Sequence, residues 1–275
     1  MPPPSNLVAD SAHVEEAIEV LRLAGGRASV ESLAEAVFQI PDLDSLTAAH
    51  LVAEFFKDDW RVEFGSNGQI ELLCEDAECR ALDATEFVVF DVETTGSKRP
   101  PCRIVEIGAS RVRDGRIVAE FETLVNPCAP MPPFISSLTG ITDAMLEPAP
   151  VFADIAGDLL DFIGSSVLVA HNAAFDVSFL NHEIGQLYPG RKLFNPHICT
   201  VSLSRRVVSG VANHRLHTLA EHFDVPVRRH HRAADDARAT AEVFIRLLEL
   251  LRRNGVRDLA GARSYRLHQR AGARS

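Results

Sequence analysis

Phe87-Val88-Val89-Phe90-Asp91-Val92-Glu93-Thr94-Thr95-Gly96 sets two carboxylates at the end of an uncharged run. Residues 87–90 are β-branched or aromatic, the pattern of a strand buried at the centre of a sheet. Side chains two apart on a strand point the same way, so Asp91 and Glu93 face together. Paired like charges at a strand end repel and lose hydration unless a divalent cation offsets them. Oxygen-only donors at this density suit Mg²⁺ or Mn²⁺. Alone, an Asp-x-Glu triplet also fits a solvated strand end, so the remaining chain has to decide between the two readings.

Two further segments bear on that choice. Val167-Leu168-Val169-Ala170 reads as a second apolar strand and runs into His171-Asn172-Ala173-Ala174-Phe175-Asp176, a polar turn opening a helix. Later, His231-Arg232-Ala233-Ala234-Asp235-Asp236 sets an Asp five positions after a His at the start of another helix. Asp176 and Asp236 in such places also serve as helix caps, because an acid there satisfies free N–H groups and complements the dipole. The joint pattern is more specific: three carboxylate sites and one His meet at strand ends and helix starts.

In order and spacing, the three segments closely resemble the DEDDh family of 3′→5′ exonucleases, whose best-known members are the epsilon-type proofreading subunits of bacterial DNA polymerases. The resemblance covers residues 86–251. It implies that Asp91, Glu93, Asp176 and Asp236 bind two Mg²⁺ or Mn²⁺ ions and that His231 is the general base, with Asp235 a spacer. It also implies that Thr94, Thr95 and Gly96, the loop containing Leu138 and Thr139, and Asn172 and Phe175 of the second segment lie against the 3′-terminal nucleotide. The chemistry would be phosphodiester hydrolysis by two ions about 3.5–4 Å apart, releasing nucleoside 5′-monophosphates. An imidazole suits the base role because its ordinary pKa of about 6.5 leaves it able to accept protons at neutral pH. DNA and RNA substrates stay open, since RNA-trimming relatives share the same site residues and differ in how they treat the 2′-hydroxyl. A non-catalytic interaction module remains a third reading, although no carboxylate is missing. The chain also resembles the exonuclease half of bacterial proteins that carry a GIY-YIG nuclease.

The 275-residue length fits two domains. Five cysteines, odd in number and without a C-x-x-C pair, together with the lack of a long apolar span or leader pattern, lead to the expectation of a cytoplasmic protein. Residues 1–80 show helical periodicity over 13–23, 29–38 and 46–56 and a hairpin over 60–64 and 69–73, a winged-helix-like order. This segment holds 16 acids against five Lys or Arg, which disfavours a phosphate-binding face. It is expected to be an accessory domain that contacts a DNA polymerase or repair protein. Gln69-Ile70-Glu71-Leu72-Leu73 faintly resembles the peptide by which polymerase accessories bind the sliding clamp, yet a hairpin strand explains it as well.

An acidic linker over 74–85 leads into the catalytic domain, placed at 81–251. There the 87–92 strand, a hairpin of 104–113 and 116–125 about Asp114-Gly115, and alternating helices and strands to a closing helix make an RNase H-like mixed five-stranded sheet flanked by helices. Arg228, Arg229 and Arg232 flank His231 and are expected to bind substrate phosphates. His214, His217 and His222 lack cysteines at ligand spacing and read as structural or surface residues rather than a zinc site. Residues 252–275 hold seven Arg and one Asp and read as a basic, flexible tail able to hold nucleic acid.

Overall fold

The computed structural model describes residues 4, 6–57, 59–65, 67–73, 79–227 and 231–266. It divides into two compact units, Met1–Asp76 with Ile184–Phe194, and Ala77–Glu183 with Asn195–Ser275. No helix among the described residues is long and apolar enough to cross a membrane.

The first unit runs β1 (Leu7–Ala9), α1 (Ala12–Leu23), β2 (Arg27–Ser29), α2 (Val30–Phe38), α3 (Ser45–Phe55), β3 (Val62–Phe64) and β4 (Gln69–Leu72). Each helix starts on a side-chain cap. Ser11, Ser29 and Asp44 accept from the backbone N–H of Val14, Ser32 and Thr47, satisfying donors that the helix itself cannot. Ile18, Leu21, Leu33, Val52 and Ile70 form the small core. The sheet order is β2-β4-β3, so β4 is the central strand. With Ile70 fully buried, the stretch that resembles a clamp peptide is committed to this sheet.

The chain revisits this unit late, through a segment that sequence periodicity had assigned wholly to the second domain. β9 (Arg191–Leu193) pairs antiparallel with β1, Leu7 opposite Leu193. Within the same unit Arg61, with no solvent exposure, is gripped by Asp59 at 2.9 and 2.7 Å and by Glu15 at 3.0 Å. Its guanidinium lies 5.6 Å from the centroid of the Phe194 ring.

The second unit comprises β5 (Phe87–Thr94), β6 (Ile104–Arg113), β7 (Arg116–Leu124), α4 (Pro133–Thr139), α5 (Asp143–Leu146), α6 (Phe152–Ile163), β8 (Val167–Ala170), the first turns of α7 (Ala173–Leu187), β10 (His197–Cys199), α8 (Thr200–Val207), α9 (Leu216–His222), α10 (Ala233–Arg253) and α11 (Leu259–Ser264). The strand order is β10-β8-β5-β6-β7, with β10, β8 and β5 parallel and the β5-β6-β7 meander antiparallel. This is the expected mixed five-stranded sheet flanked by helices. At the β6–β7 turn Asp114 and Gly115 both have positive φ, the geometry that matches the twist of a two-residue hairpin. α10 supplies the main apolar cover: Phe244 meets Phe87 edge-on at 4.9 Å, and Ala241, Leu247, Leu248 and Leu251 are fully buried.

Two expectations need correction. The stretch containing Leu138 and Thr139 is a helix, not a loop: α4 starts with Pro133, whose missing N–H costs nothing in a first turn, and ends on Gly140 at φ 71°. The basic segment after residue 251 is not a free tail through residue 266. Val256, Leu259 and Ala262 are buried in the main core, Asp258 caps α11, and Arg252 pairs with Asp83 at 2.6 Å. Apolar residues spaced among the arginines drive that docking. Residues 267–275 of the expected tail, residues 74–78 of the linker, and Arg228 and Arg229 lie outside the described residues.

Candidate active site

Asp91 and Glu93 lie at the carboxyl end of β5, and β6 faces them in register, Gly108 opposite Asp91 and Glu106 opposite Glu93. β8 pairs with β5 only through Val89, which leaves the later N–H groups on that edge unpaired by a strand. Asp176, in the first turn of α7, accepts from Val92 N at 3.2 Å, so the second segment docks its carboxylate where the sheet opens. Asp236 lies in the first turn of α10, and one of its oxygens accepts from His231 N at 2.9 Å. His231 has φ 60°, a left-handed conformation uncommon for a residue with a Cβ, and it is exposed. Ring nitrogen of His231 and carboxylate oxygens of Glu93 and Asp236 lie within 4.8 Å of one another.

Electrostatics joins these groups. Burial first, then repulsion from Asp176, Glu93, Asp236 and Glu106, pushes the Asp91 carboxyl well above the ordinary range. Burial, followed by repulsion from Asp236, Glu106 and Asp176, raises Glu93 to about 7. Burial also raises Asp176 against the opposing pull of its backbone donors. Glu93, Asp236 and His231 lie close enough to share one cation, and the mutual repulsion of Asp91, Glu93, Asp176 and Asp236 puts the other two acids nearby, an oxygen-rich set that fits a hard divalent cation.

Two residues that the sequence reading passed over hold the third segment in place. Glu106, fully buried, accepts from Arg232 Nε at 3.0 Å and Nη2 at 2.6 Å and from Ala233 N at 2.8 Å, which satisfies the first N–H of α10. Arg232 is thus engaged inside the domain rather than free for substrate phosphates. At Gly108 an added Cβ would come within 2.3 Å of the backbone of Ala233 and Ala234, so only glycine lets α10 rest directly on β6. A signal was present in the chain: an acid and a glycine interrupt the apolar run Ile104-Val105-Glu106-Ile107-Gly108. A second buried glutamate works alike, with Glu183 taking Arg103 at 2.7 and 2.6 Å and Ile104 N at 3.2 Å, which anchors the start of β6.

The expected substrate residues divide. Thr94 is buried and donates its hydroxyl to Gly96 O at 2.7 Å. Thr95 Oγ1 accepts from Arg103 N at 3.0 Å, and a Cβ at Gly96 would meet Cys102 Sγ at 2.8 Å. Thr139 is buried, its hydroxyl donating to Ile135 O and accepting from Ile141 N. Thr94 and Thr139 commit their hydroxyl protons to the backbone, whereas Thr95, half-buried, keeps its hydroxyl proton for a ligand beside the main-chain groups. Leu138 is exposed, as is Phe134 one turn earlier on the same face of α4. Asn172 is exposed at φ 76°, and Phe175 packs on Phe179 with centroids 4.8 Å apart.

Residues 88–244 match the RNase T family, described as exonuclease. The DNA polymerase III PolC-type protein of Caldanaerobacter subterraneus subsp. tengcongensis is 45% identical over 175 residues, 64% of this chain and 12% of that protein. The DNA polymerase III subunit epsilon of Aquifex aeolicus is 40% identical over 170 residues, 62% of this chain and 83% of that one. A putative bifunctional exonuclease/endonuclease of Mycobacterium tuberculosis is 42% identical over 200 residues, 69% of this chain and 30% of that protein. The chain spans only about an eighth of the PolC-type relatives. Among solved structures, the nuclease domain of 3′hExo, a DEDDh family member bound to rAMP, shares the fold at TM-score 0.50 and 20% identity over 62% of this chain and 94% of that one. Escherichia coli exonuclease I in complex with a dT13 oligonucleotide does so at TM-score 0.52 and 15% identity over 62% and 42%. By the family match across more than half of its length, and in keeping with the epsilon relative, the chain belongs to the RNase T family of exonucleases.

Proposed function

We propose that this protein is a metal-dependent 3′→5′ exonuclease that removes nucleotides from the 3′ ends of DNA as 5′-monophosphates, in proofreading or repair. The observation that carries the proposal is the meeting of Asp91, Glu93, Asp176 and Asp236 from three separate chain segments beside His231. Asp91, Glu93, Asp176 and Asp236 would hold two Mg²⁺ or Mn²⁺ ions. When bound, such ions lower the pKa of water and stabilise charge on phosphoryl and leaving oxygens. His231, exposed at the rim and tethered through its backbone to Asp236, takes the proton of the attacking water. The 3′-terminal nucleotide rests on the backbone of Thr94, Thr95 and Gly96. Leu138 and Phe175 offer apolar surface to its base, and Asn172 a polar contact. The Aquifex relative's role as a polymerase III subunit supports DNA over RNA and a polymerase or repair partner. The first unit, whose order of helices and strands suits a winged-helix-like accessory domain, is acidic, and a protein surface suits it better than a duplex.

Digestion of matched 3′-labelled and 5′-labelled DNA and RNA oligonucleotides with Mg²⁺, Mn²⁺ or EDTA tests the proposal. Stepwise loss of the 3′ label from DNA as mononucleotide, absent in EDTA, is expected. Endonucleolytic products, 5′ removal or metal-independent cleavage would overturn it.

A further inference from the structure

At the β10 edge of the sheet lies a polar pocket of about 510 Å³ lined by Arg205, Arg206, His214 and Arg266 together with the turn at Ser209 and Gly210. Among the described residues no carboxylate pairs with any of the three arginines, in a chain whose formal net charge is −10. Elsewhere in the same unit arginines are routinely paired, as Arg103 with Glu183, Arg232 with Glu106 and Arg238 with Glu120. Arg206 donates through Nη1 to Arg263 O, but its Nε is buried with no hydrogen-bond partner. A buried donor left this way is unfavourable unless something from outside the chain accepts from it. Arg205 and Arg206 lie in the last turn of α8, where basic residues complement the dipole, yet a helix end offers only about half a negative charge for three guanidiniums and an imidazole. The pocket is positive enough to feel itself: Arg266 pushes the Arg206 pKa down beyond what burial does, and Arg205 does the same to His214.

Its position along the sheet indicates the occupant. His214 bonds Ser204 Oγ through Nδ1 at 3.1 Å, and its backbone holds the His171 ring, the residue preceding Asn172 at the end of β8. The order β10-β8-β5 sets the strand that leads into α8 two positions from β5, on the order of 10 Å across the sheet, and the arginines at the far end of α8 lie beyond it on that flank. Guanidiniums read phosphate with two parallel N–H groups, which matches a phosphodiester chain crossing this edge.

We propose that Arg205, Arg206 and Arg266 form a phosphate-binding site that grips the backbone of a single strand several nucleotides to the 5′ side of the bond being cut. The inference rests on the exonuclease reading for its orientation. As a binding site it can be tested without turnover. In EDTA, anisotropy of labelled single strands of 3, 6 and 12 nucleotides is measured against salt for the full chain and for Arg205→Ser/Arg266→Ser. Both positions are solvent-exposed, and thermal melting checks that the variant folds.

The expected result is a loss of about tenfold or more in affinity for the 12-mer, little change for the 3-mer, and a salt slope shallower by about 1.4, the value for two single-strand phosphates. Unchanged affinity and slope for the 12-mer overturn the site. Retained 12-mer affinity with loss of inorganic phosphate or mononucleotide binding overturns the strand assignment in favour of a free-anion site. If the arginine dependence holds in EDTA but no oligonucleotide is degraded with Mg²⁺ or Mn²⁺, the exonuclease proposal fails and the phosphate site stands.

Discussion

Glu106 holds Arg232 in a two-pronged ion pair, 2.6 Å to Nη2 and 3.0 Å to Nε, and in the same stroke caps α10 through Ala233 N. His231 precedes this clamp by one residue and Asp236 follows it within one turn, so a carboxylate outside the DEDDh pattern sets where two members of that pattern stand. Glu106 is 1% exposed and Arg232 20% exposed at the side chain, which makes the pair a buried one. Removing one partner of a buried pair strands the other, at about 3–5 kcal/mol. Glu106→Gln is therefore expected to lower stability by a few kcal/mol and to depress kcat far more than KM. Urea unfolding and steady-state kinetics measure the two, and a variant with wild-type kcat would separate Glu106 from the site.

Gly108→Ala tests the close approach itself. A methyl group 2.3 Å from the Ala233 and Ala234 backbone forces the start of α10 outward while the rest of the helix keeps its apolar face on β5 and β6. A displacement near 1 Å of catalytic groups costs on the order of 10²-fold. The variant should fold, shown by circular dichroism, and lose about that much activity. Full activity would mean the helix start tolerates movement.

Side chains at the site should fall into two grades. His231→Ala is expected to slow hydrolysis by about 10²–10⁴-fold, the usual worth of a positioned proton acceptor. Asp236→Ala should cost more, because it removes both a cation donor and the acceptor that holds His231 N. Single-turnover rates with saturating Mg²⁺ distinguish them. Equal, mild effects from both would remove the assigned roles.

Acid titration and cation binding oppose one another here. Without a cation, Glu93 and Asp176 hold protons more tightly folded than unfolded, so the folded state binds more protons between pH ~4 and about 7, and Asp91 is shifted in the same direction. Stability from these groups is present at low pH and declines as pH rises through about 7. A divalent cation needs the ionised carboxylates and reverses that decline. Thermal melts in Mn²⁺ against EDTA should show a larger gain at pH 7.5 than at pH 5.5. Equal gains at both would argue against a shared cage.

The segment after α10 belongs to the folded domain through residue 266, so cutting the chain at residue 252 is expected to destabilise it as well as alter nucleic-acid binding. Leu259 has no solvent exposure, and Leu259→Ala should cost about 2–5 kcal/mol by leaving a cavity. Denaturant unfolding checks this. A cost below about 0.5 kcal/mol would mean α11 is only loosely attached.

Local pattern was enough for the elements that make the scaffold. The uncharged run through Phe90, the Asp114-Gly115 turn and the three-and-four spacing of Ala237, Ala241, Phe244, Leu248 and Leu251 each dictate a strand, a hairpin or a helix face over a short range. Less visible were α4, hidden among prolines, and α11, where seven arginines masked a few buried apolar residues. β1 and β9, three residues each, are strands only because they find one another across the chain.

From the chain alone came the proposed chemistry: which acids and which histidine are candidates for the site, because residue type and spacing at strand ends and helix starts are written locally. Tertiary structure alone decided that Arg232 serves Glu106 instead of substrate, that Thr94 and Thr139 spend their hydroxyls on the backbone, and that three arginines with no carboxylate partner among the described residues line one pocket. A side chain's partner depends on groups brought near by folding, often a hundred residues away, and no local pattern encodes that distance.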